Sequence, residues 1–593
     1  MSTIHCQLRL ALAAIITLSA SNLSAASPDY LKDIKPLLKN KCSTCHGSLK
    51  QKAKLRLDAG KLIHASGVLK GELIARVTAK DEEERMPMEG EPLTDNQIAL
   101  LKAWIAAGAK YPEDEIITDR PEDHWAFQPV KKPAVPRVKD AKWPRNPIDH
   151  FVLAKLEGRS MRPNPPAKPM QLLRRAHMDL IGLPPTIAEQ DAYGNDPDLP
   201  ALINELLKRP GYGERYARHW LDVARYADTG GYSNDYERSN AWRYRDYVIR
   251  AFNEDKPYDE FIIEQIAGDE LWEQQPEGKR DSALLVATSF LRMGPWDPAM
   301  VKVPEARQIF LDDVVNSVGQ TFLSTTMQCF KCHDHKFDPL PTRDYYRMYA
   351  AFAGTQMAER PAPFLKKENR GRFSGQKNHV QGLLDFAREK TKELTGKREV
   401  AAKEWFKKAG LDYVPLEKRK SLADEKKPPR HVGLDQMEQG RLKVREQDSR
   451  IWERRMERFQ PMVQGVYNGP DPSFLNARKL RQKAKVNRNW QPDSHIYMGG
   501  SLQAPGLKVG PGVLSATGIP VSTTGDDPYV ISDKLQGRRL ALAKWIAHPK
   551  NPLTARSIVN RVWQHHFGKP LGGNPNNFGA KGGKPTHPEL LNW

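Results

Sequence analysis

The sequence predicts a mainly α protein, and three observations carry that expectation. Apolar residues recur at helical spacing through most of the chain. Lys, Arg, Glu and Ala dominate 376–460, and only 495–515 shows the short apolar runs, broken by Gly and Pro, that suggest strands and turns. With 593 residues the chain has room for several domains.

Residues 1–26 have the layout of a secretory signal. Arg9 precedes the apolar run Leu10 to Leu18, and small residues lead to Ser24-Ala25-Ala26, after which cleavage is expected. An uncleaved leader serving as an anchor is the alternative. No later stretch approaches the ~18 apolar residues of a membrane span. The mature chain is therefore expected to lack a transmembrane segment and to be exported, periplasmic or at the cell surface.

Residues 29–112 read as a small helical domain. Tyr30, Ile34, Leu37 and Leu38 form one helical face that runs into Cys42-Ser43-Thr44-Cys45-His46. This is the C-x-x-C-H signature of covalent haem c attachment, with Cys42 and Cys45 as thioether donors and His46 as the proximal iron ligand. Met86-Pro87-Met88 follows 40 residues after His46, and Met86 is the expected sixth ligand. A closing helix starts at the capping box Thr94-x-x-Gln97, buries Ile98, Leu101, Trp104 and Ile105, and ends at Gly108. Together these predict a class I-like cytochrome c domain holding one haem c.

A connector over 113–147, Pro-rich from Lys131, leads to a helical domain over 148–358. Helices are expected around Trp220–Asp228, over Trp242–Asn253, and over roughly 305–328, where Phe310, Val314, Val318, Phe322 and Leu323 repeat at helical spacing. The last of these delivers a second motif, Cys329-Phe330-Lys331-Cys332-His333, followed by His335 and Asp338. Of the chain's five cysteines only Cys6, in the leader, lies outside the two motifs. The second motif is open to three readings: a second haem, a metal held by Cys329, Cys332, His333 and His335 or Asp338, or a redox disulfide. As a haem site it would have its sixth position open or filled from afar.

These residues resemble the large planctomycete-type cytochrome proteins, in which a planctomycete cytochrome c domain precedes two domains of unknown function. The likeness rests on Cys42–His46, Met86-Pro87 and Trp104–Ala109. It continues through His124–Phe127, Arg174-Arg175, Asp179–Thr186, Tyr212–Arg215, His219–Tyr226, Tyr244–Asp246, Gln265–Asp269 and Cys332–Pro339. Further blocks are Arg539–Ala543, Asn551–Arg556, Asn560–Gln564 and His587–Leu591. Where the family more often has methionine followed by two prolines, this chain has Met86-Pro87-Met88. The resemblance implies a haem-bearing exported protein and no particular reaction.

Beyond 358, a charged helical region over 365–460 suggests a hairpin broken near Pro428-Pro429. A C-terminal domain over 461–593 returns to helix at 537–567 and stops at Trp593 inside a helix capped by Thr586, which looks truncated. His565 and His566 point in different directions on that helix, and either could reach the middle domain. Residues 361–593 carry 43 basic and 22 acidic residues and so hold the whole net charge of +20. That excess suits nucleic acid, anionic lipid or an anionic polysaccharide, and export makes nucleic acid the least fitting of the three. Electron transfer to an exported redox partner is the first functional expectation. The alternatives are a carbohydrate-active or metal-dependent enzyme and a non-catalytic polyanion-binding surface protein. Asp222, Arg225, Asp228 and Asp246 are the catalytic candidates, chosen because they cluster near aromatic residues.

Overall fold

The computed structural model describes residues 28–593 except 49–50, 89–90, 116, 118–119, 234, 297–302, 369–370, 372, 471–479, 481, 483–485, 488 and 523–524. The expected leader and Cys6 lie outside the described residues. The chain is 53% helix and 5% strand, a mainly α fold. It divides into two compact units, Met1–Pro121 and Glu122–Trp593. Among the described residues no helix is long and apolar enough to cross a membrane.

In the first unit α1 (Lys35–Lys41), α2 (Gly60–Ser66), α3 (Glu72–Thr78) and α4 (Asp95–Ala106) surround a core that includes Ile34, Leu38, Ile63, Leu101 and Trp104. Asp29 caps the turn ahead of α1, and Thr94 and Gln97 form the expected reciprocal box at α4. Glu115 ties the unit shut: it accepts from the Tyr30 hydroxyl, Lys35 Nζ and the Gly60 amide at 2.8, 2.7 and 2.6 Å.

The second unit begins with α5 (Pro147–Glu157), α6 (Pro169–Leu180), α7 (Ile187–Asn195), α8 (Leu199–Leu206), α9 (Pro210–Val223), α10 (Ala241–Asn253), α11 (Tyr258–Gln274) and α12 (Ser282–Ala287). It continues through α13 (Val303–Leu323), α14 (Thr342–Phe352) and β1 (Thr355–Pro361). A long helical hairpin follows, α15 (Ser374–Lys408) and α16 (Gln436–Met456), and β2 (Met462–Asn468) closes its base by pairing antiparallel with β1 from Thr355↔Asn468 to Pro361↔Met462. The hairpin is as expected; the buried strand pair beneath it was not foreseen. Beyond it, β3 (His495–Tyr497) and β4 (Pro505–Lys508) form the expected minor sheet, and α17 (Arg538–Ile546), α18 (Pro552–Phe567) and α19 (Pro588–Asn592) complete the unit. One hydrophobic core runs from Ala126 to Phe578 and draws on α9–α14, β2, α17 and α18 together.

Three boundaries differ from expectation. The helix leading toward the second motif ends at Leu323, because Ser324 turns left-handed (φ 46) and its hydroxyl pairs with Ser557 and Pro575 O. The motif therefore begins on a 3-10 turn, Met327–Phe330. The helix α9 stops at Val223, since Arg225 is also left-handed (φ 61), which puts Arg225–Asp228 in a loop. His587, not Thr586, precedes the first residue of α19.

Arg539 and Asp269 join α17 to α11 in the core. The guanidinium gives two hydrogen bonds of 2.6 Å to the carboxylate, and both side chains are almost wholly buried. Arg539→Ala leaves Asp269 buried without its cation. It is expected to cost the second unit about 3–5 kcal/mol, read as a lowered urea midpoint.

Candidate functional site

In the first unit α1 runs directly into the first motif. The chain then turns tightly: the Cys45 and His46 amides both donate to Cys42 O, and the Lys52 amide donates back to Cys45 O. That turn brings His46 inside, where it is 8% exposed. His46 Nδ1 lies 3.0 Å from Lys52 O, so it donates there and leaves Nε2 as the donor atom for a metal. The thiols of Cys42 and Cys45 are free, and burial pushes the Cys42 thiol up to about 11. A thioether, which carries no charge, fits that environment better than a thiolate.

Both thiols, His46 and Met86 line one cavity of about 700 Å³, with Leu57 and Leu73 among its apolar walls. The Met86 amide donates to Arg76 O at 2.9 Å, which fastens the methionine to α3. Met86 is half-buried, whereas Met88 is 58% exposed. His64, the unit's other described histidine, is engaged elsewhere, with Nε2 2.8 Å from Ala109 O and its ring against Tyr111. The cavity thus has two thiols, one free imidazole nitrogen and one thioether around an apolar space of ligand size, the donor set of a c-type haem.

The second motif is arranged differently. Cys329, Cys332 and His333 are exposed, while His335 and Asp338 are turned to the fold. His335 Nδ1 accepts from the amides of Phe337 and Asp338, and Asp338 Oδ1 accepts from Ala580 N at 2.8 Å. Burial lowers the His335 pKa, in keeping with its role as an acceptor. Among the described residues no three His, Cys, Asp or Glu side chains converge as ligands for a metal ion, so the five residues do not form a ready-made metal site.

Three of the four catalytic candidates are paired locally. Asp222 is exposed at the end of α9. Arg225 makes a two-pronged pair with Asp313 at 2.5 and 3.0 Å. Asp228 accepts from the Tyr226 hydroxyl at 2.7 Å, and Asp246 pairs with Arg245 at 2.7 Å. Tyr226 lies in the field of Asp228, Arg245 and Asp246, so two of the candidates, Asp228 and Asp246, share one neighbourhood; burial first, then Asp228, raises its pKa.

A second polar cluster went unnoticed apart from its two histidines. His566 Nδ1 lies 2.5 Å from Asp179 Oδ2, and its Nε2 lies 3.1 Å from the Tyr216 hydroxyl. His565 stacks on His219 with ring centres 3.8 Å apart. Both histidines of α18 thus reach α6 and α9, as their divergent directions allowed.

The cavity suits a cytochrome c-like domain, which precedes a larger helical unit in the chain. Comparison with protein families agrees: residues 42–90 match Planctomycete cytochrome C, 147–357 match a protein of unknown function, DUF1549, and 538–593 match another, DUF1553. The three matches together reproduce the domain arrangement of the planctomycete-type cytochrome proteins. No curated protein and no solved structure matches it.

The histidine pair makes the second unit acid-sensitive. Burial first, then the charges of His219, Arg561, His566 and Arg215, bring His565 down to about 4 from 6.5. A histidine with a lowered pKa contributes stability that is complete above 6.5 and is lost as pH falls toward 4, and solvent at this half-buried site screens part of it. His566 works in the opposite sense, since its bond to Asp179 raises its pKa. His565→Phe keeps a ring against His219 and is expected to flatten the acid loss, measured as the difference in unfolding midpoint between about pH 7 and pH 4.5.

Proposed function

We propose that this protein is an exported electron-transfer protein. Its N-terminal domain holds one haem c through thioethers to Cys42 and Cys45, with His46 and Met86 as axial ligands. The observation that carries this reading is that His46, with Nδ1 tied to the Lys52 carbonyl, faces the same cavity as both thiols and Met86. The bound haem supplies a one-electron iron couple. The chain's part is to fix the imidazole tautomer through Lys52 O, to offer the Met86 thioether as a second donor, which would raise the potential, and to exclude water with apolar walls. Lys52, Lys54 and Arg76 at the same cavity suit the two propionates. The signal-like leader supports export and a redox partner outside the cytosol.

Met86→Ala is expected to abolish the weak long-wavelength sulfur-to-iron absorption band of the oxidised protein, and Met88→Ala to leave it intact. The reverse pattern would move the ligand to Met88.

A second reading, that the larger unit holds anionic polysaccharide, is favoured by the groove between α15 and α16. It has about 620 Å³ and is lined by Arg388, Lys392 and Arg450 beside Thr391, Thr395 and Ser449, with Glu399 and Glu446 also on its wall. Lys392→Glu combined with Arg450→Glu is expected to lower the salt needed for elution from a sulfated resin, since exposed charges act over about 8–10 Å at moderate salt. An unchanged elution point would remove the hairpin from this role.

A further inference from the structure

The second motif leaves two thiols and an imidazole exposed, and a turn from far along the chain lies against it. We propose that Cys329, Cys332 and His333 hold a second haem c, and that Met498 is its sixth ligand. This goes beyond the haem proposed at Cys42 and does not depend on it.

Met327 and Phe330 are fully buried and anchor the turn, so the free thiols of Cys329 and Cys332 face outward. His333 Nδ1 lies 2.7 Å from Asp334 O, the same backbone carbonyl restraint that His46 has, and Nε2 is left for iron. The neighbouring alternatives are committed elsewhere. Asp334 Oδ1 accepts from Thr342 N at the start of α14, His335 Nδ1 accepts two amides, and Asp338 holds Ala580.

Met498 opens the turn Met498–Gly500, just after β3. The chain on both sides of it is pinned to the rim of the motif. A Cβ at Gly500 would lie 2.9 Å from Cys332 Sγ, and Gly500 itself is left-handed (φ 77). Gly500 O accepts from Gln308 Nε2 at 2.9 Å, and Tyr497 O accepts from the Tyr346 hydroxyl, whose ring lies in the field of Cys332. Met498 is nonetheless 65% exposed, and Leu507 on the partner strand is 79% exposed. Met498 is thus an exposed thioether two residues from Gly500, on the turn that lies against Cys332, and a thioether is the sulfur donor a six-coordinate haem c takes.

Attachment is an addition without net oxidation or reduction. Each thiol S–H adds across one vinyl C=C: sulfur bonds to the carbon next to the ring, and hydrogen goes to the terminal carbon. The mass therefore rises by one whole haem.

The test uses the full chain carrying Cys42→Ala and Cys45→Ala, made together with a haem-attachment apparatus. The expected result is one haem mass and the sulfur-to-iron band in the oxidised protein. Met498→Ala and Met498→His should each keep that haem mass and lose the band, whereas Met86→Ala should leave it unchanged. Absence of the haem mass overturns the proposal, and so does a missing band or one that survives Met498→Ala. In parallel, Cys329→Ala/Cys332→Ala should carry one haem where the unaltered chain carries two, which separates a failure here from a failure at Cys42.

Discussion

Arg539 and Asp269 form the contact on which the larger unit depends, because it joins segments that are otherwise far apart in sequence. Besides its two bonds to Asp269, Arg539 donates to Ile266 O and to Asn468 Oδ1 at the end of β2. The adjacent Glu270 accepts from the Leu540 amide and from Asn468 Nδ2. Helices α11 and α17 and strand β2 therefore meet at one polar knot inside an apolar core. Burial works against the Arg539 charge, and the carboxylates of Asp269, Glu270 and Glu273 together more than offset that effect. Such a knot tolerates apolar replacement of the whole set better than loss of one member, since the cost lies in the charge left behind. Gly268 belongs to the same arrangement: a Cβ there would meet Leu284 O at 2.2 Å, so α11 and α12 could not approach as they do.

The resemblance blocks of the larger unit take on a physical meaning in this light. His124 Nε2 lies 2.6 Å from Phe578 O, and Arg556 donates to Ala126 O and Gln128 O. Asp179 meets His566, and Asp338 meets Ala580. Each pair joins the DUF1549 segment, or the chain just before it, to the DUF1553 segment. The charge of the C-terminal third is partly spent in the same way. Arg538, Arg539, Arg556 and Arg561 are buried and donate to backbone carbonyls, so they add to the net charge without adding to the surface field. The surface-exposed part of the excess lies instead on elements such as the α15–α16 hairpin.

What could be read from the sequence was local. Haem attachment needs two thiols and an imidazole at a fixed short spacing, so Cys42–His46 is visible without a fold. The Thr94–Gln97 box and the α15–α16 periodicity are visible for the same reason. The β1–β2 pair was hidden because Thr355 and Asn468 are brought together only across the whole hairpin, and no turn chemistry joins them. Ser324 ends α13 through bonds to Ser557 and Pro575, more than two hundred residues onward, and nothing in the apolar repeat signals that stop. The Asp179–His566 contact was legible only as a direction: two adjacent histidines on a helix cannot face the same way, but their partners had to come from the fold.

The same distinction separates structural from chemical residues in the second motif. Cys332–Pro339 is one continuous block in the sequence, and every acidic or imidazole side chain in it is an equal candidate ligand there. In the structure Asp334 caps α14, His335 closes its own loop and Asp338 clamps the turn at Ala580. Those bonds fix the backbone around the motif through groups other than its thiols. The groups that the fold does not use are the thiols of Cys329 and Cys332 and the Nε2 of His333. The first motif leaves the same three kinds of group unused, inside a cavity instead of on a rim. Burial of the first site disfavours the extra positive charge of ferric iron, and exposure of the second tolerates it.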